Sequence, residues 1–154
     1  MANDEVAEAL TREHRIIDAG IEEFLRARDA GTIDATPLLG AMDALRRHIF
    51  LEETFLFPPL REAGLTMPIM VMLREHGALW NSMDELSNQL EAAGTDIAGL
   101  CNDLLAALDS HNSKEEPIIY PRAGVDLPEF TYAQLRDFIA DGRMPDGWVC
   151  ATAR

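Results

Sequence analysis

Basic residues are scarce in this chain. Thirteen Lys and Arg face 27 Asp and Glu over 154 residues, for a formal charge of −14. Phosphate backbones and anionic lipid surfaces repel so acidic a protein, so neither nucleic acid nor a membrane is expected as a partner. No apolar run is long enough to span a bilayer. Met1 to Glu5 carries acids where a secretory signal needs a basic start and an apolar stretch, so no export signal is expected. Cysteine is nearly absent. Cys101 and Cys150 lie far apart, which suits free thiols in a reducing cytoplasm and excludes a Cys-x-x-Cys centre. Phosphate-binding glycine loops, the G-x-S-x-G elbow and the H-E-x-x-H zinc motif are all missing. So are alternating β-branched runs, so no strand is expected.

Histidine is scarce too, but its four copies are ordered. His48-Ile49-Phe50-Leu51-Glu52-Glu53 ends in Phe57-Pro58, and His111-Asn112-Ser113-Lys114-Glu115-Glu116 ends in Tyr120-Pro121. His48 and His111, Glu52 and Glu115, and Pro58 and Pro121 are each 63 residues apart. Arg12-Glu13-His14 recurs as Arg74-Glu75-His76, 62 residues on. One unit is written twice: a lone histidine, then His-x3-Glu-Glu about one helical hairpin later.

Apolar periodicity predicts four long helices. The first covers 4–30, with Asp4 and Glu5 in its first turn and a stripe of Val6, Leu10, His14, Ile17, Ile21 and Phe24, and it closes at Gly31. The second starts at Thr36, as N-cap, and Pro37. It carries Leu38, Met42, Leu45, His48, Glu52 and Phe55/Leu56, is broken or kinked at Pro58-Pro59, and ends at Gly64. The third runs from Thr66–Pro68 to Gly94 through Ile69, Leu73, His76, Trp80 and Met83, with Met67, Met70, Met72 and Met83 expected as core filler. The fourth starts at Thr95 or Asp96, runs through Leu104, His111, Glu115 and Ile118, and bends or finishes near Pro117. Short turns between such helices predict an all-α, up-down-up-down antiparallel four-helix bundle over residues 1–122. Residues 123–154 are expected as an extension packed on it. Its short fifth helix, 131–141, would have a Thr131/Gln134 capping box and a Phe130/Leu135 staple, with Trp148 and Val149 docked on the bundle.

His14, His48, Glu52, His76, His111 and Glu115 all fall on the apolar stripes, and the matching helix positions put them at one level of the bundle. A single histidine on such a stripe is usually a core residue bonded to a carbonyl. Six together resist that reading. Two carboxylates in a dry core cost several kcal/mol each unless positive charge is near, and no Lys or Arg shares their stripes. Two divalent cations would supply the charge, and imidazole with carboxylate is a donor set such ions take. Glu13, Glu53, Glu75 and Glu116 are read as solvated flanks or outer acceptors. Phe57 and Tyr120 are read as packing residues, Tyr120 also as a hydrogen-bond donor or radical site beside the centre. Without metal, at least one of Glu52 and Glu115 is expected to hold a proton with a raised pKa.

These residues resemble the hemerythrin-like, HHE cation-binding domain. The likeness rests on His14, His48-x3-Glu52, His76 and His111-x3-Glu115, and covers about residues 4–122. It implies two non-haem iron ions, oxo- or hydroxo-bridged, with Glu52 and Glu115 as bridging carboxylates and the four histidines as terminal ligands. The oxygen carriers of that family have a fifth histidine where this chain has Trp80, and an Asp five residues after the last histidine where this chain has Glu115 at four. The pattern is closer to the four-His, two-Glu members, linked to peroxide or nitric oxide handling, iron sensing and iron–sulfur repair. Repair members carry an extra cysteine-containing N-terminal segment, and a chain starting at its first helix is expected not to share that role. The expected ligand is therefore O2, NO or H2O2, met either by redox turnover or by a binding or sensing module without turnover. In a third possibility the metal only staples a structural bundle.

Overall fold

The computed structural model describes residues 5–154, so Asp4 lies outside it. The described residues form helices and loops with no strand. Helix α1 is Glu5–Asp29, α2 Thr36–Leu51, α3 Phe57–Glu62, α4 Thr66–Glu91, α5 Ile97–Lys114, α6 Ala123–Asp126 and α7 Glu129–Asp141. Helix α1 packs on α2 and α5, and α4 packs on α5 and α2, which closes the expected four-helix bundle. Left-handed glycines end two of the hairpin arms, Gly31 at φ 91° and Gly64 at φ 112°. After α4 that role falls one residue early, on Ala93 at φ 52°, and the Gly94 N–H bonds the Gln89 carbonyl at 2.8 Å. At the start of α2, Thr36 is already helical and Ala35 is the N-cap, while Asp34 accepts from the Thr36 N–H at 3.0 Å.

Pro58 and Pro59 were expected to break or kink the second helix; the chain instead continues through a π-helical turn, Glu52–Leu56. There the Phe57 N–H donates to the Glu52 carbonyl, five residues back. The following helix therefore begins afresh at Phe57, and Pro58 occupies a first-turn position whose N–H has no intrahelical acceptor to lose. The repeat does the same. A second π turn, Glu115–Ile119, leads into a 3-10 turn, Tyr120–Arg122, and the Tyr120 N–H donates to the Glu115 carbonyl. The extra residue in each turn shifts the buried face. Ile119 is buried, while Ile118, predicted on the stripe, is 49% exposed.

The C-terminal extension departs most from expectation. Helix α7 starts at Glu129, two residues early, because Pro128 (φ −55°, ψ 145°) opens it directly. Thr131 is then inside the helix, the capping box does not form, and Phe130 is exposed rather than stapled. Arg47 ends α7 by donating to the carbonyls of Phe138, Ile139 and Gly142 at 2.5, 3.1 and 2.9 Å. Trp148 docks as expected, edge-on to Phe50 and Trp80, but Val149 is exposed and Cys150 is buried in its place. Met72 and Met83 fill the core. Met67 and Met70 do not; they fall off the face of α4 that carries Ile69, Met72 and His76, and are exposed. Both cysteines are free and buried, and burial pushes the Cys101 thiol up to about 11. Among the described residues, no helix is long and apolar enough to cross a membrane.

Gly77 is where the tail touches α4. A Cβ there would lie 2.6 Å from the Thr152 carbonyl oxygen. Gly77→Ala is expected to lift the tail and cost about 1–3 kcal/mol, read as a lower urea midpoint. An unchanged midpoint would show that the tail yields without cost.

Candidate metal centre

A polar layer crosses the bundle between two apolar clusters. One is built around Ile17, Phe24, Leu79, Leu86 and Leu104, the other around Leu10, Leu51, Leu60, Ile69 and Tyr120. The stripes deliver His14 from α1, His48 from the last turn of α2, His76 from α4 and His111 from the last turn of α5. Glu52 and Glu115 are the first residues of the two π turns, and both are fully buried. Such turns inside helices occur often at functional sites.

All six residues singled out from the sequence are brought together. Ligand atoms of His14, His48, Glu52 and Glu115 lie within 4.8 Å of one another, and so do those of Glu52, His76, His111 and Glu115. The two groups share both carboxylates. In the first, His14 Nε2 is 3.1 Å from Glu115 Oε1, and His48 Nε2 is 3.4 Å from Glu52 Oε2. In the second, His76 Nε2 is 3.2 Å from Glu52 Oε1, and His111 Nε2 is 3.2 Å from Glu115 Oε2. There His76 Nε2, Glu52 Oε1 and Glu115 Oε2 are buried with no hydrogen-bond partner. Orphaned donor atoms of this kind, nitrogen and oxygen aimed at one point, fit a cation.

Each imidazole also has a carboxylate behind it. Nδ1 of His14 meets Glu116 at 2.8 Å, His48 meets Glu13 at 2.9 Å, His76 meets Glu53 at 2.7 Å and His111 meets Glu75 at 2.9 Å. When Nδ1–H donates outward, loss of the Nε2 proton leaves a lone pair facing the centre, the tautomer that a metal ligand needs. These four glutamates are the outer acceptors of the two alternatives left open by the sequence. Their signal was visible: each is the neighbour in sequence of an inner residue and shares the repeat. What the sequence hides is the pairing, since Glu13 serves not its neighbour His14 but His48 across the hairpin. The outer residues are tied down in turn. Glu53 accepts from the Ala151 N–H at 3.0 Å, Glu13 is 3.5 Å from Arg47 Nη1, and Glu75 pairs with Lys114.

Tyr120 reaches further in than its repeat position implied. Its hydroxyl donates toward Glu52 Oε2 at 2.7 Å and Glu115 Oε1 at 2.8 Å, and lies 2.8 Å from His14 Nε2 and 2.9 Å from His48 Nε2. Trp80 belongs to the neighbouring apolar cluster, against Trp148.

The raised carboxyl pKa expected from burial is not what the surroundings of Glu52 and Glu115 give. Burial pushes both carboxyls up, and the Glu115 charge adds to this at Glu52, but the imidazoles outweigh it: Glu52 is lowered and Glu115 lies well below its ordinary value. His48, His76 and His111 are shifted toward their charged forms instead. Burial disfavours their charge, yet hydrogen bonds to Glu52 and Glu53 and the carboxylate charges raise His76 to about 9. His48 is raised well above its usual value and His111 is raised, for the same reason.

No curated protein and no solved structure matches the chain. The family model described as the hemerythrin HHE cation binding domain matches residues 5–123, from the start of α1 to the start of α6, and takes in every residue of both carboxylate shells. With two His/Glu groups sharing their carboxylates at the heart of that span, the chain belongs to the hemerythrin HHE cation-binding family.

Proposed function

We propose that the centre holds two iron ions and turns over a small oxidant, hydrogen peroxide or nitric oxide. The observation that carries this reading is the sharing of Glu52 and Glu115 by two four-residue groups. In it Glu52 and Glu115 would be held in common by both ions, with His14 and His48 holding one and His76 and His111 the other. Iron is preferred to zinc because structural zinc takes closed tetrahedral sites, whereas bridged carboxylates with open positions suit iron and oxygen. Bound iron would supply electrons to the ligand and a Lewis-acidic surface for it.

The chain's own part is to position and to insulate. Glu13, Glu53, Glu75 and Glu116 fix the imidazole orientations, and the two apolar clusters keep bulk water from the layer. In this reading residues 1–122 carry the centre. Residues 123–154 brace it through the Ala151 contact to Glu53 and through Arg47, which bonds the end of α7 and reaches Glu13.

Peroxide and nitric oxide consumption by the iron-loaded protein is the test. Turnover is expected, and His76→Ala should abolish it by removing a terminal ligand. If the loaded protein consumes neither but binds oxygen, nitric oxide or a further iron reversibly, the chain is a binding or sensing module.

A further inference from the structure

The two halves of the centre are related by the repeat, except for one oxygen atom. The Phe57 ring lies 5.3 Å from the His76 ring at an interplanar angle of 22°. The Tyr120 ring lies 5.4 Å from His14 at 31°. Each aromatic residue follows its glutamate by five positions, and the π turn, with its five-residue hydrogen bond, brings that fifth residue back over the glutamate's face. On the Phe57 side no hydroxyl enters the centre, and His76 Nε2, Glu52 Oε1 and Glu115 Oε2 have no hydrogen-bond partner. On the Tyr120 side the hydroxyl stands among His14, His48, Glu52 and Glu115, 2.7–2.9 Å from a donor atom of each.

A phenol has one proton and two lone pairs. Four neighbours at hydrogen-bond distance are more than it can satisfy with that proton alone, and all four are nitrogen or carboxylate donors of the kind that meet around a cation. The ring is 1% exposed and belongs to the apolar cluster of Leu51, Leu56 and Ile119, so its hydroxyl is held in place rather than free to turn away.

Resting on the two-iron reading above, we propose that Tyr120 is a further metal ligand, giving its phenolic oxygen to the ion held by His14, His48, Glu52 and Glu115. On coordination the phenol's proton passes to solvent by way of the cleft of about 610 Å³ that Tyr120 lines with Arg12 and Arg15, and the oxygen keeps its lone pair for the metal. The two ions then differ. The Tyr120 half has one open position fewer, and an incoming small ligand binds on the His76–His111 half, against Phe57.

The test is the visible absorption and resonance Raman spectrum of the iron-loaded, oxidised protein, with iron measured per chain. Wild type is expected to show a phenolate-to-iron(III) charge-transfer band with enhanced tyrosinate ring modes. Tyr120→Phe, which copies what the chain already carries at Phe57, should lose both while keeping two irons. A wild type that binds two irons without the band, or a band that survives Tyr120→Phe, overturns the proposal and leaves the two-iron reading standing. A wild type that binds no iron overturns both.

Discussion

Stripping metal from the loaded protein at pH 9 is expected to lower its melting temperature by about 10–15 °C, and at pH 6 by less than half as much. A ligand held at about a thousand times its Kd stabilises by about 4 kcal/mol, and a domain of this size loses about 2–4 °C per kcal/mol. The pH dependence follows from where the metal-free protons sit. His76 is raised from 6.5 to about 9, and His48 and His111 are raised too. Their contribution is complete below 6.5 and is lost as pH rises through the folded values. Glu52 and Glu115 are depressed from 4.5, so their contribution is present above 4.5 and is lost as pH falls through the folded values. The metal-free network is therefore at its strongest between about 4.5 and 6.5. A cation must displace the imidazole protons, so its affinity rises with pH while the network it replaces weakens. Melting curves with and without chelator at both pH values measure this. Equal shifts, or a larger one at pH 6, would mean that the imidazoles are neutral without metal.

The other large effect concerns the shared carboxylates. Glu115→Ala should remove both metals, because Glu115 belongs to both groups, whereas His111→Ala should leave one ion, between His14 and His48. The same substitution should harm the metal-free protein at pH 6. Glu115 lies within 3.2 Å of His14 Nε2 and His111 Nε2, and removing one partner of a buried pair costs about 3–5 kcal/mol. At pH 9 the cost should shrink, because fewer imidazoles carry charge. Elemental analysis after loading, with urea melts at both pH values, reads the two effects separately. One metal retained by Glu115→Ala and none by His111→Ala would invert the assignment of the bridge.

What the sequence made legible follows from periodicity. Six polar residues on helical stripes must meet if the stripes form one core, and they do. Their level in the bundle came from matching helix lengths, and the repeat held the two halves in register. The π turns were not legible. Proline reads as a break because propensity reports a missing N–H, and it cannot report that the five-residue hydrogen bond from Phe57 to Glu52, just before Pro58, has already moved the register. That one residue also explains the failed placement of Ile118 and the depth of Tyr120. The Glu13–His48 and Glu53–His76 pairs cross between helices, which a one-helix pattern cannot reveal. The raised carboxyl pKa was expected for a related reason: imidazoles beside two carboxylates favour charge on both, and only the 3.2–3.4 Å contacts of His48, His76 and His111 show that they are close enough to do so. At the tail, a capping box was read where Pro128 had already started the helix.

The central claim is that two cations sit side by side and share Glu52 and Glu115. Anomalous diffraction at the iron edge, on crystals of the loaded protein, tests it most directly. Two peaks per chain are expected, one flanked by His14 and His48 and the other by His76 and His111, with both carboxylates between them. A single peak, or peaks away from these six residues, would contradict it.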